Sequence, residues 1–427
     1  MKVLMFGWEF PPHIAGGLGT ACYGITKGLA KNNVEVTFVM PKAFGDEDQT
    51  SSNIISASEV EVDPRYSRFY NQAHNISFIE VHSKLLPYVG LDDYFNIINQ
   101  IESNTLQTEE HGTKRRYVFG GGYGPNLLEE IEHYAVVAEE LARNQSFDII
   151  HAHDWHTYKA GIWAKQASGK PLVVHIHATE FDRSGENCIN DYVYQIEREG
   201  MLAADAVMAV SDRTRQVVIE KYGVPAEKVF TIYNALEPTV KTVEHKKPLD
   251  EKIVTFLGRV TFQKGPDYFV EVARKLLKKD RNIRFVLAGD GDMMVKVIER
   301  VAELGISDRF HFTGFLRGED INKMFGMSDV YVMPSISEPF GISPLEAMHA
   351  GVPVVISKQS GVAEILHYAI KVDFWDIDAM ADAIYGILHY PALSQFFISK
   401  GSQDVNSLKW ENVGKEILDI YQKLVNH

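Results

Sequence analysis

Two glutamates frame the segment SEPFGISPLEAMHAG at residues 337–351: Glu338 and Glu346, with seven residues between them. Gly341 and Pro344 interrupt any continuous helix over this run, so helical spacing does not set the two carboxylates on one face. Glu338 follows MPSIS and precedes a Phe340-Gly341 turn, a loop position where an acid is either solvated or holds a polar ligand. Glu346 has two readings. With Ser343 as N-cap, Pro344 at N1 and Glu346 at N3, the segment spells a capping box, and the carboxylate folds back on its own helix. Pointing outward instead, it would accept hydrogen bonds from paired hydroxyls. The N–H groups of Gly341, Ile342 and Ser343 lead into the same helix start, where the dipole favours negative charge.

Further candidates lie where strands end. In RVTFQKG, Arg259 and Lys264 bracket a turn into a helix that begins at Pro266. A guanidinium fork and an ammonium beside a helix N-terminus can cradle a diphosphate, or they can be two solvated surface cations. AGGLG, residues 15–19, places Gly16 and Gly17 at a strand-to-helix turn, where a ligand can approach backbone N–H groups or where the turn simply needs to be tight. HAHDWH at 151–156 and HIH at 175–177 bring His151, His153, Asp154 and His177 to strand ends. Alternate histidines on a strand share a side, so His151 and His153 could bind a metal. Hydrogen-bonded histidines at the edge of the core are the stronger reading. D-x-D occurs at 46–48, 290–292 and 376–378, and three instances in an acidic chain carry no assignment.

The elements that must position these groups form two series. KVLMF, EVTFVM, FDIIHA, PLVVHIH, DAVMAV and VFTIY read as buried strands, separated by helical patterns such as 124–143 and 191–203. The pattern restarts with KIVTFLG, IRFVLAG, RFHFTG, VYVMPS and VPVVIS, alternating with helices at 266–278, 293–304, 319–327 and 344–350. Two strand-helix series predict an α/β protein of two doubly wound, Rossmann-like domains. The boundaries expected are 1–240 for the first domain, with an insertion at about 44–123, then a charged linker at 241–251, a second domain at 252–405, and a last segment at 406–427 carrying a helix from Trp410 to Val425. The insertion is irregular and rich in aromatics, among them Tyr88, Tyr94, Phe95, Tyr117, Phe119 and Tyr123, which either stack on sugar rings or pack locally.

Composition narrows the function classes. The 427 residues carry a net charge of −14, from 43 basic and 57 acidic side chains, which argues against a polynucleotide partner. A small phosphate ligand needs only a few cations and free N–H groups, so it stays open. Two cysteines, Cys22 and Cys188, suit a reducing cytosol, and a cytoplasmic location is expected. The first residues do not read as a signal peptide, and no apolar run reaches the ~18 residues of a membrane span.

Taken together, the Gly-Gly turn, GRVTFQKG, AGDGD and above all EPFGISPLEAM resemble retaining glycosyltransferases of the two-Rossmann, GT-B type. The similarity is to glycosyltransferase family four and the glycogen and starch synthases, over nearly the whole chain. It implies two domains facing each other across a cleft, with the final helix returning to the first domain. By position, Arg259 and Lys264 would hold the donor diphosphate, Glu346 the ribose hydroxyls and Glu338 the donor sugar. Gly16 and Gly17 would support the phosphates, Phe315 and Leu316 would meet the base, and Phe340, Gly341, Ile342 and Ser343 would complete the donor site. His177 matches the histidine kept beside the reacting sugar, and His153 and Asp154 fall on the acceptor side.

The resemblance further implies front-face substitution with retention, no metal and no cofactor, since the nucleotide-sugar is a substrate. HAHDWH and GGLG look most like the glycogen and starch synthases. Where the bacterial synthases carry K-x-G-G-L-G-D, this chain has Ile14-Ala15-Gly16-Gly17-Leu18-Gly19-Thr20, which lacks the lysine and weakens a specificity for ADP-glucose. The expectation is a hexosyltransferase, glycogen-synthase-like, using a UDP- or ADP-glucose class donor and a carbohydrate acceptor such as glycogen. Another family-four hexosyltransferase, with a small-sugar or lipid-linked acceptor, is the alternative. Two rival classes are a metal-dependent hydrolase built on His151, His153, Asp154 and His177, and a sugar-nucleotide-binding protein without turnover.

Overall fold

The computed structural model describes residues 1–14, 16–67, 108–111, 114–185, 188–236 and 251–426. They form two compact units, one of residues 1–234 with 410–427 and one of residues 235–409. Most of the linker expected at 241–251, and Tyr88, Tyr94 and Phe95 of the insertion, lie outside the described residues.

The first unit is built on a seven-stranded sheet. Its strands are β1 (Lys2–Phe6), β2 (Glu35–Met40), β3 (Asn53–Ser56), β6 (Ile149–His153), β7 (Leu172–Ile176), β8 (Ala206–Ala209) and β9 (Val229–Thr231). The order is β3-β2-β1-β6-β7-β8-β9 and every pairing is parallel. Near-continuous Val, Ile and Ala runs make this possible, because strands covered by helices on both faces have no solvent side for alternation to serve; β6, β7 and β8 are buried at every position. The short antiparallel pair β4 (Thr108–His111) and β5 (Lys114–Tyr117) belongs to the expected insertion. Tyr117, Phe119 and Tyr123 are buried, with Tyr117 stacked on His133 at 4.3 Å, which is packing and not an exposed sugar platform.

Helices α1 (Gly17–Lys31), α2 (Leu127–Asn144), α3 (Trp155–Ser168), α4 (Glu180–Ser184), α5 (Asp191–Ala203) and α6 (Asp212–Tyr222) complete this unit together with a distant segment. The last helix of the chain, Trp410–Val425, packs on α1 through glycines. A Cβ at Gly24 would fall 2.0 Å from the Trp410 ring, one at Gly28 2.1 Å from the Trp410 carbonyl oxygen, and one at Gly414 2.2 Å from the Gly28 backbone. The two backbones touch, and Asn32 Nδ2 donates to Glu411 O at 2.8 Å to fix the register.

The second unit has strands β10 (Lys252–Leu257), β11 (Ile283–Ala288), β12 (Phe310–Gly314), β13 (Val330–Met333), β14 (Val354–Ser357) and β15 (Ile370–Val372), in the order β12-β11-β10-β13-β14-β15, again all parallel. Helices α7 (Pro266–Lys279), α8 (Met294–Glu303), α9 (Glu319–Met327), α10 (Ser343–His349), α11 (Val362–Ile365), α12 (Ile377–His389) and α13 (Pro391–Ser407) follow, so the helix Trp410–Val425 is α14. In both sheets the strand order reverses beside the first strand, between β1 and β6 and between β10 and β13. Ligands of open α/β sheets bind past the carboxyl ends of the strands at such a switch point.

Candidate active site

In the second unit the loops leaving β10 and β13 are locked together. After Leu257 the chain runs beside the β11 exit, with Val260 N–H donating to Asp290 O at 2.8 Å. A short 3-10 turn, Phe262–Lys264, then ends at Gly265, whose φ of +65° and position explain the residue: a Cβ there would lie 2.2 Å from the Pro334 carbonyl oxygen. Ile336 N–H donates to Gln263 O at 2.9 Å. This close approach brings the Lys264 ammonium into an ion pair with Glu338, whose side chain is buried, while Ser335 Oγ donates to Glu338 Oε2 at 3.3 Å. Arg259 Nη2 donates to the buried Gln263 Oε1 at 3.3 Å. The reading of Lys264 and Glu338 as solvated surface charges is therefore wrong. Sequence reasoning missed Gln263 and Ser335, whose buried polar groups hold the charged ones.

The capping box is also corrected. Helix α10 starts one residue early, with Ile342 at the N-cap and no side-chain cap. Ser343 Oγ is taken by the Tyr331 hydroxyl at 2.8 Å, a partner supplied by β13 that no local pattern reveals. Glu346 consequently sits one position past N3 and makes no side-chain hydrogen bond among the described residues. Burial pushes its carboxyl up to about 7. Phe340 buries its ring in the core, whereas Gly341, Ile342 and Ser343 are partly exposed. Phe315, after β12, is exposed, with the Arg317 guanidinium 5.2 Å over its ring; Leu316 follows it.

In the first unit, Asp154 follows β6 with a φ of +58°, uncommon for a non-glycine residue. Its backbone N–H donates to His175 O at 2.9 Å, and its Oδ1 accepts from the His177 N–H at 2.7 Å. The carboxylate thus clamps the loop after β7, and burial lifts its pKa to about 7. His177 Nε2 lies 3.0 Å from His153 Nδ1, and burial lowers His177 to about 3, so the ring is neutral near pH 7. The His177 loop continues into α4, capped by Thr179 and Asp182 and anchored by the buried ion pair of Arg183 with Glu197.

Asp154 spends its carboxylate on a backbone amide, and His151 and His153 have no exposed surface. A hydrolytic metal needs an open coordination position, and of the four residues of the hydrolase reading His177 alone is partly exposed. The core-edge reading is revised as well, because His151 and His153 sit inside the core. At the start of α1, Gly16 is extended at φ −172°, and a Cβ at Gly16 or Gly17 would meet nothing within 4 Å. Neither packing nor backbone conformation demands glycine there, whereas a Cβ at Gly19 would strike Ile14 at 2.3 Å. What the two glycines provide is an unshielded helix start.

Two all-parallel, doubly wound units with polar groups gathered past their switch-point strands define the class: an α/β architecture that solved glycosyltransferases of the GT-B fold share. Residues 2–232 match the starch synthase catalytic domain family and residues 239–404 match glycosyl transferases group 1. The chain belongs to this glycosyltransferase family and is a transferase. An uncharacterized glycosyltransferase of Methanocaldococcus jannaschii is 28% identical, with 99% of this chain and 98% of the relative covered. Glycogen synthase of Mycobacterium tuberculosis is 22% identical, with 99% and 94% covered. HepE of Anabaena, solved in complex with UDP-glucose, shares the fold at a TM-score of 0.64 and 15% identity, covering 99% of this chain and all of that one. Among the described residues no helix is long and apolar enough to cross a membrane.

Proposed function

We propose that the protein transfers a hexose, in the first place glucose, from a UDP- or ADP-sugar to a carbohydrate acceptor with retention of configuration and without a metal cofactor, as a glycogen-synthase-like α-glucan elongation in the cytoplasm. The observation that carries the reading is the Lys264–Glu338 ion pair, set beside Arg259 by the locked β10 and β13 loops. A departing nucleoside diphosphate gathers negative charge on its phosphate oxygens, and a preorganised ammonium and guanidinium lower that barrier without reorganising. Glu338, holding Lys264 on one oxygen, has the other for donor-sugar hydroxyls. Glu346, free of any cap, accepts from ribose hydroxyls, and the exposed Phe315 with Leu316 offers an apolar surface to the base. Backbone N–H groups at Gly16 and Gly17 receive phosphate oxygens.

His177 is neutral near pH 7 and held by His153, which suits a hydrogen-bonding partner of the reacting sugar and not a cation; the leaving diphosphate takes the acceptor proton. His153 and Asp154 act by fixing His177 on the acceptor side. The UDP-glucose bound by HepE and the glycogen synthase relative support the choice of donor and acceptor class. A second reading, transfer to a small-sugar or lipid-linked acceptor, is favoured by Ile14, which puts an apolar chain against Gly19 where the bacterial synthases carry a lysine.

The test is to incubate the enzyme with UDP-, ADP- and GDP-sugars, with and without glycogen and with EDTA, measuring nucleoside diphosphate release and product anomeric configuration. Release that depends on glycogen and resists EDTA, giving an α-linked product, is the expected result. A β-linked product from an α-donor, or release abolished by EDTA, refutes the mechanism; release with another acceptor but not with glycogen selects the second reading.

A further inference from the structure

A group of histidines occupies the centre of the first unit's sheet. His151 and His153 stand two apart on β6 and share a face, and the parallel register sets His175 of β7 directly opposite His153. None of the three has exposed surface. Their ring centroids are 4.2 Å apart for His151 and His153, and 5.4 Å from each of these to His175. Nε2 of His151, Nε2 of His153 and both nitrogens of His175 find no hydrogen-bond partner among the described residues. Polar atoms buried this deeply are ordinarily paired, and a desolvated orphan is costly. One nitrogen from each ring falls within 4.8 Å of the others.

We propose that His151, His153 and His175 form a structural binding site for one divalent ion of the zinc class. The surroundings are those of imidazole ligands. His151 Nδ1 lies 2.5 Å from the Tyr421 hydroxyl, and His153 Nδ1 lies 3.0 Å from His177 Nε2. When each Nδ1–H donates to its neighbour, the Nε2 lone pairs of both rings are left to face the ion, the way an outer partner fixes the tautomer of a metal-bound histidine. The neutral imidazole is the form that binds metal. An all-imidazole set selects zinc and its transition-metal neighbours over magnesium or calcium. Bonds of about 2.0–2.1 Å place ligand nitrogens about 3.4 Å apart around a tetrahedral ion, so ring rotations must draw them in by up to ~1.4 Å.

The ion has no role at a reacting bond, since no substrate reaches these rings. Its effect on chemistry passes through His153: with the His153 Nδ1–H donated to His177 Nε2, His177 must carry its own proton on Nδ1. Resting on the function proposed above, the ion would thus select one tautomer of the histidine assigned to the reacting sugar.

The test uses untagged full-length protein from zinc-supplemented cells, purified without chelator, dialysed, and assayed by mass spectrometry for all first-row metals. About one zinc per chain is expected in the parent, with at least a tenfold loss in His175→Gln and in His151→Gln and no loss in Cys22→Ser. Cys22 serves as the discriminating control because its sulfur groups with His153 and His177, not with His151 and His175. Should the histidine variants fail to fold, the parent decides: protein made with cobalt(II) must hold about one cobalt per chain and show the visible absorption bands of cobalt bound by imidazole. A parent without stoichiometric metal overturns the proposal, and metal lost with Cys22→Ser but kept in His175→Gln overturns it as well.

Discussion

Replacing Lys264 by Met tests the charge arrangement of the second unit most directly. The Glu338 side chain is only 7% exposed and its Lys264 partner 19%. Removing the ammonium leaves a buried carboxylate with Ser335 Oγ, at 3.3 Å, as its other side-chain donor. Breaking a fully buried pair costs about 3–5 kcal/mol. The partial exposure of Lys264 admits water, so about 2–3 kcal/mol is expected. For a unit of this size that is a fall of roughly 5–10 °C in the melting transition seen by calorimetry. Adding Glu338→Gln removes the stranded charge, and Lys264→Met/Glu338→Gln should recover more than half of the loss. Activity should behave differently. Nucleoside diphosphate release drops by ~100-fold or more in the single variant and stays low in the double, because the lost ammonium acts on the leaving group. A single variant within ~0.5 kcal/mol of the parent would mean the pair is a solvated surface contact. A double variant with parental turnover would remove Lys264 from the mechanism.

Other consequences follow from the same geometry. Burial lifts Glu346 from 4.5 to about 7, so the folded state binds the extra proton between those values and stability declines as pH rises through that window. Glu346→Gln abolishes this decline; denaturant midpoints should show the variant gaining up to about 3 kcal/mol on the parent at pH 8 relative to pH 4, and equal shifts at both pH values would refute the burial argument. Gly265→Ala must move the turn off Pro334 O and strain a positive φ, costing about 2 kcal/mol or more and slowing diphosphate release; unchanged denaturant stability would count against the close packing. Gly28→Ala should separate α14 from α1, visible as faster proteolysis within 410–425 at a cost of about 2 kcal/mol, and a protease pattern like the parent's would contradict that interface.

The parts legible in the sequence were those with a local cause. Helices 191–203, 319–327 and 410–425 have the bounds their periodicity suggested, and the apolar runs of β6, β7 and β8 marked buried parallel strands. The spacing of Glu338 and Glu346 drew attention to the loop between β13 and α10. What remained hidden depends on contacts between elements far apart in the chain. Ser343 looked like a cap because the competing Tyr331 hydroxyl comes from another strand. Whether Glu338 was solvated stayed open, because nothing local shows that Gly265 sits against Pro334 and delivers Lys264. The histidine pairs were visible within each strand, but their convergence is decided by the β6–β7 register, which no single strand encodes.

Helix α14 has a consequence for how the protein is made. The glycine seam on α1 leaves the ribosome ahead of the second unit, yet the helix that covers it is translated only after the whole of that unit. During synthesis the first unit must therefore wait with that face bare until α14 arrives.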